Sequence, residues 1–356
     1  MHKGRTRVLP MPISRPPRAT MSDVARKAGV SEKSVSRVVN QEPHVSAKLK
    51  AKVDAAIAEL GYVPDTAARS LAGARSFTIS MLMDTRGGSY FVELIEGAYN
   101  ACKQAGYHLR IENIDSLEDS GHWIDQLEEI LRYSRLDGII LPPPFCDNSV
   151  VMDYLEQRQI PYSRVSPYVD RDRAPAAFMD DAAAAAEIAD LLVSKGHRRF
   201  GLVNGLMPHG AAIARRKGFI DRIAQIAPDA QIVEAEGRFE FATGIAAGRE
   251  LLSMADRPTA IFAVNDDSAA GVMTACAQLG IKVPDEVSIC GFDDSWVAKS
   301  VWPYLTTVYQ PVADLACQAA LMLIGGNKAA GDAAESNQLL LAHKLIERDS
   351  VSDVTR

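Results

Sequence analysis

A run of polar and charged side chains over residues 31–40, SEKSVSRVVN, carries groups suited to binding nucleic acid. Arg37 can donate two parallel hydrogen bonds to the edge of a guanine in the DNA major groove. Ser34, Ser36 and Asn40 are better suited to phosphate oxygens or flanking bases. The run therefore predicts a surface that reads sequence through one side chain and holds the DNA backbone through its neighbours.

These side chains must be presented on a helix, and the flanking residues predict a helix-turn-helix. Thr20 can cap a first helix, Gly29 suits a sharp turn, and Ser31 can cap a second helix that ends near Asn40. Ser31 is also among the residues that we expect to contact DNA. Small and apolar residues fall where two crossing helices would touch: Val24, Ala25, Ala28, Val30, Val35, Val38 and Val39. Three short helices with no role in nucleic-acid binding are the alternative, which this spacing and charge disfavour.

A third helix is predicted at about residues 47–60, starting after Ser46 and ending at Gly61. Thr20, His44 and Ser46 can donate hydrogen bonds to phosphates, which fixes the register of a protein on DNA without reading its sequence. Capping of the helices by Thr20 and Ser46 is compatible with this role.

The charge of the chain is divided unevenly. Residues 1–76 contain 14 Lys and Arg but only 6 Asp and Glu, a net charge of +8, so the remainder carries −14 within a total of −6. A basic head on an acidic body indicates a phosphate-binding module joined to a domain with another task. We expect residues 1–19 to be a disordered basic arm, with Met11 or Met21 as alternative start sites.

From Phe77 onwards, strands alternate with helices. Strands are predicted at 78–84, 107–113, 137–144, 160–166, 198–205, 231–237, 259–266 and 287–294. Helices are predicted near 90–105, 120–135, 148–158, 182–195, 211–226, 242–254 and 268–279. The pattern predicts an α/β core of two doubly wound parallel-sheet lobes, because it contains too many strands for one ordinary sheet. A further strand and helix follow Tyr304, a last strand pair is expected within 339–350, and no regular structure is expected after Arg348.

Several polar and aromatic residues fall at predicted strand ends that face a cleft between the lobes. They are Tyr90, Phe91, Ser166, Arg215, Phe239, Asn265, Asp293 and Gln310. Charged and amide groups beside an aromatic surface suit a polyhydroxylated ligand, since each buried hydroxyl needs a hydrogen-bond partner. Salt bridges between lobes and helix capping are the alternative roles. Asp180 and Asp181 are interpreted as a helix cap at the crossover, and 197–199, HRR, as surface charge.

These motifs together resemble those of the lactose-repressor/galactose-repressor (LacI/GalR) family of bacterial regulators. The head matches at VSRVVN, HVSA, ELGYVPD and ARSLAG, which are highly specific in combination. The body resembles the family's periplasmic-binding-protein-like core at SKGHRRFGLVNG, RRKGF, AVND and GFDD. The resemblance implies a helix-turn-helix DNA-binding domain over 20–64, a hinge over 65–76 and an effector-binding and dimerisation core over 77–350. Lobe 1 is expected at about 77–178 and 308–338, and lobe 2 at about 179–307 and 339–350.

The resemblance also implies roles for residues of the head. Glu32 and Lys33 occupy positions that vary with operator sequence in the family, although both could simply form a solvated helix face. Leu71 would be the apolar wedge that enters the minor groove and kinks the operator. Ala68 and Ala72 are small enough to let two hinge helices pack side by side. Because the hinge helix is too short to be stable alone, we expect it to fold only against DNA and a partner subunit.

In the cleft, the resemblance implies that Arg215 contacts the ligand, that Asp293 accepts hydrogen bonds from sugar hydroxyls, and that Phe239 stacks on a pyranose or a base. Asn265 lies at the end of the strand that contains TAIFAVN. The same positions bind purines in some relatives, so the class of ligand stays open.

The sequence therefore predicts a DNA-binding transcriptional regulator: a homodimeric repressor in the bacterial cytoplasm, associated with the nucleoid and released from a palindromic operator by a saccharide. A corepressor-type regulator with a purine-like ligand is the first alternative, and a solute-binding protein is the second. No catalytic constellation, phosphate loop, zinc motif or membrane span is recognised. We expect no enzyme activity, cofactor or metal, and the five scattered cysteines indicate reduced thiols.

Overall fold

The computed structural model describes residues 19–39, 45–62, 75–84, 88–114, 122–133, 135–207, 209–326 and 337–354. The chain divides into two compact units, residues 1–76 and 77–356. Five residues assigned to DNA binding or to the hinge lie outside the described residues, and they are Asn40, His44, Ala68, Leu71 and Ala72.

The first unit contains three described helices: α1 (Met21–Ala28), α2 (Glu32–Val39) and α3 (Ala47–Leu60). A capping box begins α1, in which Asp23 N donates to Thr20 Oγ1 and Thr20 N donates to the Asp23 carboxylate. Gly29 ends α1 at φ 65°, a left-handed conformation that glycine adopts without strain. The conformational freedom of Gly29 therefore allows the turn that was predicted between the first two helices.

A small apolar core holds these helices together. Val24, Ala25, Val35 and Val38, which were predicted to lie where the first two helices cross, are all buried there. Val53, Ala56 and Tyr62 contribute the third side of the same core. The structure therefore confirms that Ala25, a residue with only a methyl side chain, is buried in the core that these helices share.

The second unit alternates strands and helices in the predicted order. Its strands are β1 (Thr78–Met83), β2 (His108–Asn113), β3 (Gly138–Leu141), β4 (Tyr162–Val165), β5 (Ala176–Phe178), β6 (Arg199–Asn204), β7 (Gln231–Glu236), β8 (Ala260–Ala263), β9 (Ser288–Cys290), β10 (Thr307–Tyr309), β11 (Gln338–Leu340) and β12 (Lys344–Ile346). Its helices are α4 (Gly88–Gln104), α5 (His122–Tyr133), α6 (Ser149–Gln157), α7 (Asp181–Ser194), α8 (Gly210–Ile226), α9 (Phe241–Leu252), α10 (Asp266–Leu279) and α11 (Val312–Gly326).

Two parallel sheets form the centre of the second unit, one in each lobe. The first has the strand order β11-β5-β4-β3-β1-β2, and the second has the order β7-β6-β8-β9. Separate apolar clusters cover both faces of each sheet, so every central strand is buried on two sides. The predicted fold class of two doubly wound lobes is confirmed.

Within the described residues, the chain crosses between the lobes at three places: after Phe178, between Tyr309 and Val312, and after Leu340. The antiparallel pair β10-β12 lies at the last two crossings. The sequence pattern missed β5, whose three residues AAF lack the β-branched side chains typical of strands. The lobe boundary predicted at 338/339 falls inside β11, which pairs with β5 of the first sheet.

The described residues after Arg348, 349–354, form no helix or strand, as predicted, yet they pack closely against the second lobe. Ser350 is fully buried, and its carbonyl accepts a hydrogen bond from Ile289 N at 2.8 Å. His197 Nε2 lies 3.1 Å from the Ser352 carbonyl, and His197 Nδ1 lies 2.9 Å from Thr259 Oγ1. The interpretation of His197 as surface charge was therefore wrong: it is buried, which lowers its pKa.

Close packing of α4 against α11 in the first lobe yields a stability prediction. A Cβ added at Gly97 would lie 1.9 Å from the Ala313 carbonyl oxygen, so the two helices would have to separate. We expect Gly97→Ala to lower the free energy of unfolding by about 2–3 kcal/mol or more. Gly325→Ala, in the same helix pair but with open space at its Cβ, should change it by less than about 1 kcal/mol. Equal effects in urea denaturation would contradict this packing.

Candidate functional site

In the first unit, three residues predicted to contact DNA also cap helices. Ser31 Oγ accepts from Ser34 N at 3.2 Å, Ser46 Oγ accepts from Leu49 N at 3.3 Å, and Thr20 belongs to the capping box of α1. Each cap lies beside the free backbone N–H groups of a helix N-terminus, which attract anions. Capping and phosphate binding are therefore compatible at these positions, while the DNA contacts themselves stay a prediction.

The side chains predicted to read bases lie on α2. Glu32 and Lys33 are exposed in its first turn, whereas Arg37 is half-buried one turn further on. Val35 and Val38 face the core of the unit, so α2 presents its other side outwards. This arrangement allows the polar side of α2 to enter a major groove.

A cavity of about 280 Å³ lies between the two sheets of the second unit. Its lining residues follow the carboxyl ends of strands from both lobes: Asp84 after β1, Pro143 after β3, Ser166 after β4, Leu206 after β6, Asn265 after β8 and Asp293 after β9. Ligands of open α/β sheets bind at such strand ends, because loops from neighbouring strands converge there.

All eight residues predicted to contact an effector line this one cavity. Sequence reasoning missed a further set of lining residues, which are Asp84, Pro143, Pro144, Phe145, Asn148, Leu206, Met207, His209, Ala211, Arg238 and Glu240. Several of these directly follow a predicted strand, so the strand-end rule could have found them. His209 and Asn148 lie in connecting loops, where no periodicity marks a residue as facing inwards.

Arg215 on α8 is the electrostatic centre of the cavity and is almost fully buried. Its Nε donates to Asp181 Oδ1 at 2.8 Å, and its Nη1 donates to the Val264 carbonyl at 2.7 Å and lies 3.5 Å from Asp293 Oδ1. The guanidinium stacks over the Phe292 ring at 3.8 Å. Asp180 caps α7 as predicted, through Ala183 N, but Asp181 serves as a carboxylate partner of Arg215.

Asp293 holds the strand end of the second lobe to the crossover that leads into the first. Its Oδ1 accepts from Gln310 Nε2 at 2.9 Å, and its backbone N donates to the Val308 carbonyl at 2.9 Å. Burial raises the pKa of Asp293, and the Arg215 guanidinium opposes that rise. The residue adopts φ 118°, a conformation that side chains rarely occupy and that these hydrogen bonds maintain.

The loop that follows Asp293 is fixed by a second buried carboxylate, Asp266. Its Oδ2 accepts from Ser295 N at 2.8 Å, and its Oδ1 accepts from Thr307 Oγ1 at 2.7 Å. Burial raises the pKa of Asp266 to about 7. Asp266 is the first residue of α10, so its hydrogen bonds connect this helix to the loop at Ser295 and to β10 at Thr307.

Phe239 forms an aromatic wall whose position depends on a glycine. A Cβ on Gly205 would lie 2.2 Å from the Phe239 ring, so only glycine leaves room for it. Phe239 has φ 64°, and its carbonyl accepts from Asn265 Nδ2 at 3.0 Å. Asn265 Oδ1 also caps α10 through Ser268 N at 3.1 Å. Asn265 therefore caps a helix, which was the alternative to ligand contact for this residue. Its second amide proton is still able to donate to a ligand.

Aromatic side chains also supply neutral hydrogen-bonding groups to the cavity. Burial raises the pKa of the Tyr90 hydroxyl, which therefore stays protonated at neutral pH. The Tyr90 and Phe91 rings meet edge to face with centroids 5.9 Å apart. The His209 ring packs against Phe239 with centroids 4.9 Å apart. The cavity thus combines apolar walls with a polar floor around Arg215, as in sites for small amphipathic ligands.

Comparison with known proteins decides the family. The chain is 34% identical over 343 residues to the ribose operon repressor of Escherichia coli K12, covering 93% of this chain and 99% of that protein. It is 32% identical over 340 residues to the HTH-type transcriptional repressor PurR of Serratia proteamaculans, covering 94% and 97%. The chain belongs to the LacI family.

Family models match both parts of this LacI-family chain. Residues 20–65 match the bacterial regulatory proteins of the lacI family, and residues 189–351 match a periplasmic binding protein-like domain. The Lac repressor bound to ONPG in its repressed state is 25% identical with a TM-score of 0.74, covering 94% of this chain and all of that one. The protein is thus a DNA-binding transcriptional repressor with an effector-binding core. No helix among the described residues has the length and apolar character needed to span a membrane.

The buried pairing of Arg215 generates a prediction about stability and pH. Arg215→Met leaves Asp181 and Asp293 buried without their cation, which should cost about 3–5 kcal/mol at pH 7. Without that cation the folded-state pKa of Asp293 rises further above its unfolded value, near 3.9. Between about pH 4 and pH 7, Asp293 then loses its proton in the unfolded protein but keeps it in the folded one. The free energy of unfolding of the variant should therefore fall as the pH rises through this range.

Arg216→Met is the matched control, because Arg216 pairs with Glu234 on the surface at 2.5 and 2.6 Å. Its loss should cost less than about 1 kcal/mol and depend little on pH. Urea denaturation at several pH values measures both variants. A deficit in Arg215→Met that did not change between pH 4 and 7 would contradict the assignment of a buried ion pair.

Proposed function

We propose that this repressor acts as a homodimer on a palindromic operator and is released by a saccharide inducer bound in the cavity of the second unit. The observation that carries the proposal is the convergence of all eight predicted effector residues on one cavity. A volume of about 280 Å³ is near the lower end for small-molecule sites, about 300–1,000 Å³, which suits a ligand with one ring.

The contacts around this cavity support a link between ligand binding and lobe arrangement. Tyr90, Phe91 and Ser166 belong to the first lobe, whereas Arg215 and Asp293 belong to the second. A ligand that bridges these groups favours one relative orientation of the lobes over another. In our proposal that orientation sets the spacing of two hinge helices, whose folding against the operator includes insertion of Leu71.

We also propose that the protein is located in the bacterial cytoplasm and is bound to the nucleoid, where its operator is.

We further propose that the protein is not an enzyme. The ionisable side chains of Arg215 and Asp293 are hydrogen-bonded to each other, and they also pair with Asp181 and Gln310. This arrangement is expected of groups that bind a ligand rather than of groups that transfer a proton.

A purine corepressor is the second candidate. It is favoured by the aromatic wall at Phe239 and by the name of one relative, the repressor PurR. The two candidates differ in sign: an inducer weakens operator binding when added, whereas a corepressor tightens it. Titration of operator in the presence and absence of sugars and purines distinguishes them.

The DNA-reading role of α2 predicts the effect of removing Arg37. Arg37→Ala should weaken binding to the preferred operator by about 1–3 kcal/mol for each base pair that Arg37 reads. The binding that remains should be weak, non-specific and sensitive to salt. The operator used is a duplex that the wild-type protein selects from random sequences. Gel-shift titrations against this duplex and a scrambled one measure specificity.

Arg249→Ala serves as the control, because Arg249 is exposed on α9 of the second unit and donates to Gln278. It should leave operator affinity unchanged. If Arg37→Ala kept the wild-type ratio of specific to non-specific affinity, base reading by Arg37 would be refuted. A wild-type protein with no DNA binding would return the solute-binding alternative.

A further inference from the structure

Two contacts join the lobes of the second unit beside the effector cavity. At the first, Gly210 at the start of α8 in the second lobe lies against Asp147 and Tyr168 of the first lobe. At the second, Asp267 on α10 in the second lobe accepts a hydrogen bond at 3.1 Å from the Ser89 hydroxyl on α4 in the first. These five residues lie outside the described wall of the cavity. Both contacts can therefore act on the lobe arrangement without touching a ligand.

The Gly210 contact leaves no room for a side chain. A Cβ on Gly210 would lie 2.5 Å from Asp147 Oδ2 and 2.5 Å from Tyr168 Cβ, whereas ordinary contact begins at 3.4 Å. Gly210 does not adopt a left-handed conformation, so an alanine backbone would be unstrained there. The position therefore restricts the size of the residue and not its backbone conformation.

The first-lobe side of this contact is firmly held. Asp147 Oδ1 accepts from Tyr168 N at 2.8 Å and from Val169 N at 3.1 Å. The fully buried Arg164 places its Nη2 3.4 Å from the same oxygen, and its Nε donates to the Cys146 carbonyl at 2.7 Å. Because moving the carboxylate would break these charge-assisted hydrogen bonds, Asp147 cannot yield cheaply to a larger residue.

The second-lobe side is held as well. A Cβ on Gly218, two turns further along α8, would lie 2.1 Å from the Ala182 carbonyl oxygen, so α8 already touches α7. Arg215 on the same face of the lobe donates to Asp181 at 2.8 Å. Since α8 cannot move deeper into its own lobe, space for a larger residue at 210 must come from separation of the two lobes.

The Asp267 contact lies at the start of another helix. Ser89 is buried in the first turn of α4, and the Asp267 carboxylate also approaches Gly88, whose Cβ position is 3.3 Å from Oδ2. Burial raises the pKa of Asp267, and the hydrogen bond from Ser89 opposes that rise. A carboxylate is also attracted by the partial positive charge of a helix N-terminus. Asp267 therefore holds the start of α4 to the start of α10, across the lobes.

We propose that these two contacts control lobe closure: Gly210 sets how closely the lobes approach, and the hydrogen bond between Ser89 and Asp267 favours that approach. A larger residue at 210, or loss of the hydrogen bond, shifts the protein towards a more separated lobe arrangement, with no ligand needed. This shift then changes operator affinity through the hinge, a consequence that rests on the proposed function.

The test measures lobe separation in the full-length protein by pulsed electron paramagnetic resonance. Spin labels are attached at Gln157→Cys and Lys217→Cys, which are exposed positions on α6 and α8. Because α6 starts beside Asp147 and α8 starts at Gly210, the two labels span the contact. Cys317→Ser removes the one native thiol that is not buried. Labelled chains are diluted with unlabelled ones, so that distances within one chain are measured.

Gly210→Ala should lengthen the mean distance between the labels by about 1 Å or more, which is the displacement that the added Cβ requires. Gly210→Leu should lengthen it further. Gly325→Ala, at a helical glycine with open space around its Cβ, is the matched control and should give the wild-type distribution. Wild-type distributions in both Gly210 variants would overturn the proposed limit on closure.

The Asp267 contact is tested by a double-mutant cycle with the same labels. Ser89→Ala and Asp267→Ala should each enlarge the population with longer distances, and the double variant should go no further than either, since all three remove one hydrogen bond. Asp256→Ala, at an exposed carboxylate of the second lobe, is the control. Wild-type distributions in both single variants would overturn the role of this hydrogen bond, whatever the Gly210 variants do.

Operator affinity is measured on the same proteins by gel shift with the duplex that the wild type selects. Variants that separate the lobes should change this affinity about 5-fold or more, all in the same direction. Longer distances with unchanged operator affinity would contradict the proposed function, whereas unchanged distances would contradict the control of closure. The two failures are therefore distinguishable.

Discussion

The buried guanidinium of Arg215 is the constraint on which the effector cavity depends. It compensates two carboxylates, Asp181 at the start of α7 and Asp293 at the end of β9, and it also binds the end of β8 through Val264. Three elements of the second lobe are therefore fixed to one side chain. Since Asp293 in turn accepts from Gln310, the same network reaches the crossover into the first lobe. The polar groups on the floor of the cavity therefore hold the fold together, in addition to any contact that they make with a ligand.

Because these residues both stabilise the fold and line the cavity, several of them are held in strained backbone conformations. Ser166, Arg238, Phe239 and Asp293 all have positive φ values, and all four line the cavity. Such conformations persist only where surrounding contacts enforce them, and here hydrogen bonds and close packing do so. A ligand that contacts this network touches groups that join the lobes, so it can favour one lobe arrangement to the extent that it binds that arrangement more tightly. The proposed control of DNA affinity follows from that placement.

Much of this could be predicted from the sequence, for reasons that differ between residues. Ala25 and Gly29 marked the helix-turn-helix because a close helix crossing and a left-handed turn restrict residue type. Asp293 and Asn265 were found because they follow buried strands. His209 escaped because nothing in a loop sequence reveals which side chain turns inwards, and β5 escaped because three residues carry no periodicity. The burial of His197 depends on the C-terminal segment, more than 150 positions away, so local sequence could not reveal it.

We propose that ligand binding in the cavity and operator binding by the first unit are energetically coupled. One measurement tests it most directly: the affinity of the effector for the free protein and for the operator-bound protein. Thermodynamic linkage requires that operator binding weaken effector binding by the same factor by which the effector weakens operator binding, typically about 5–150-fold. We predict equal factors of this size. An effector that bound the free and operator-bound protein with the same affinity would contradict the account.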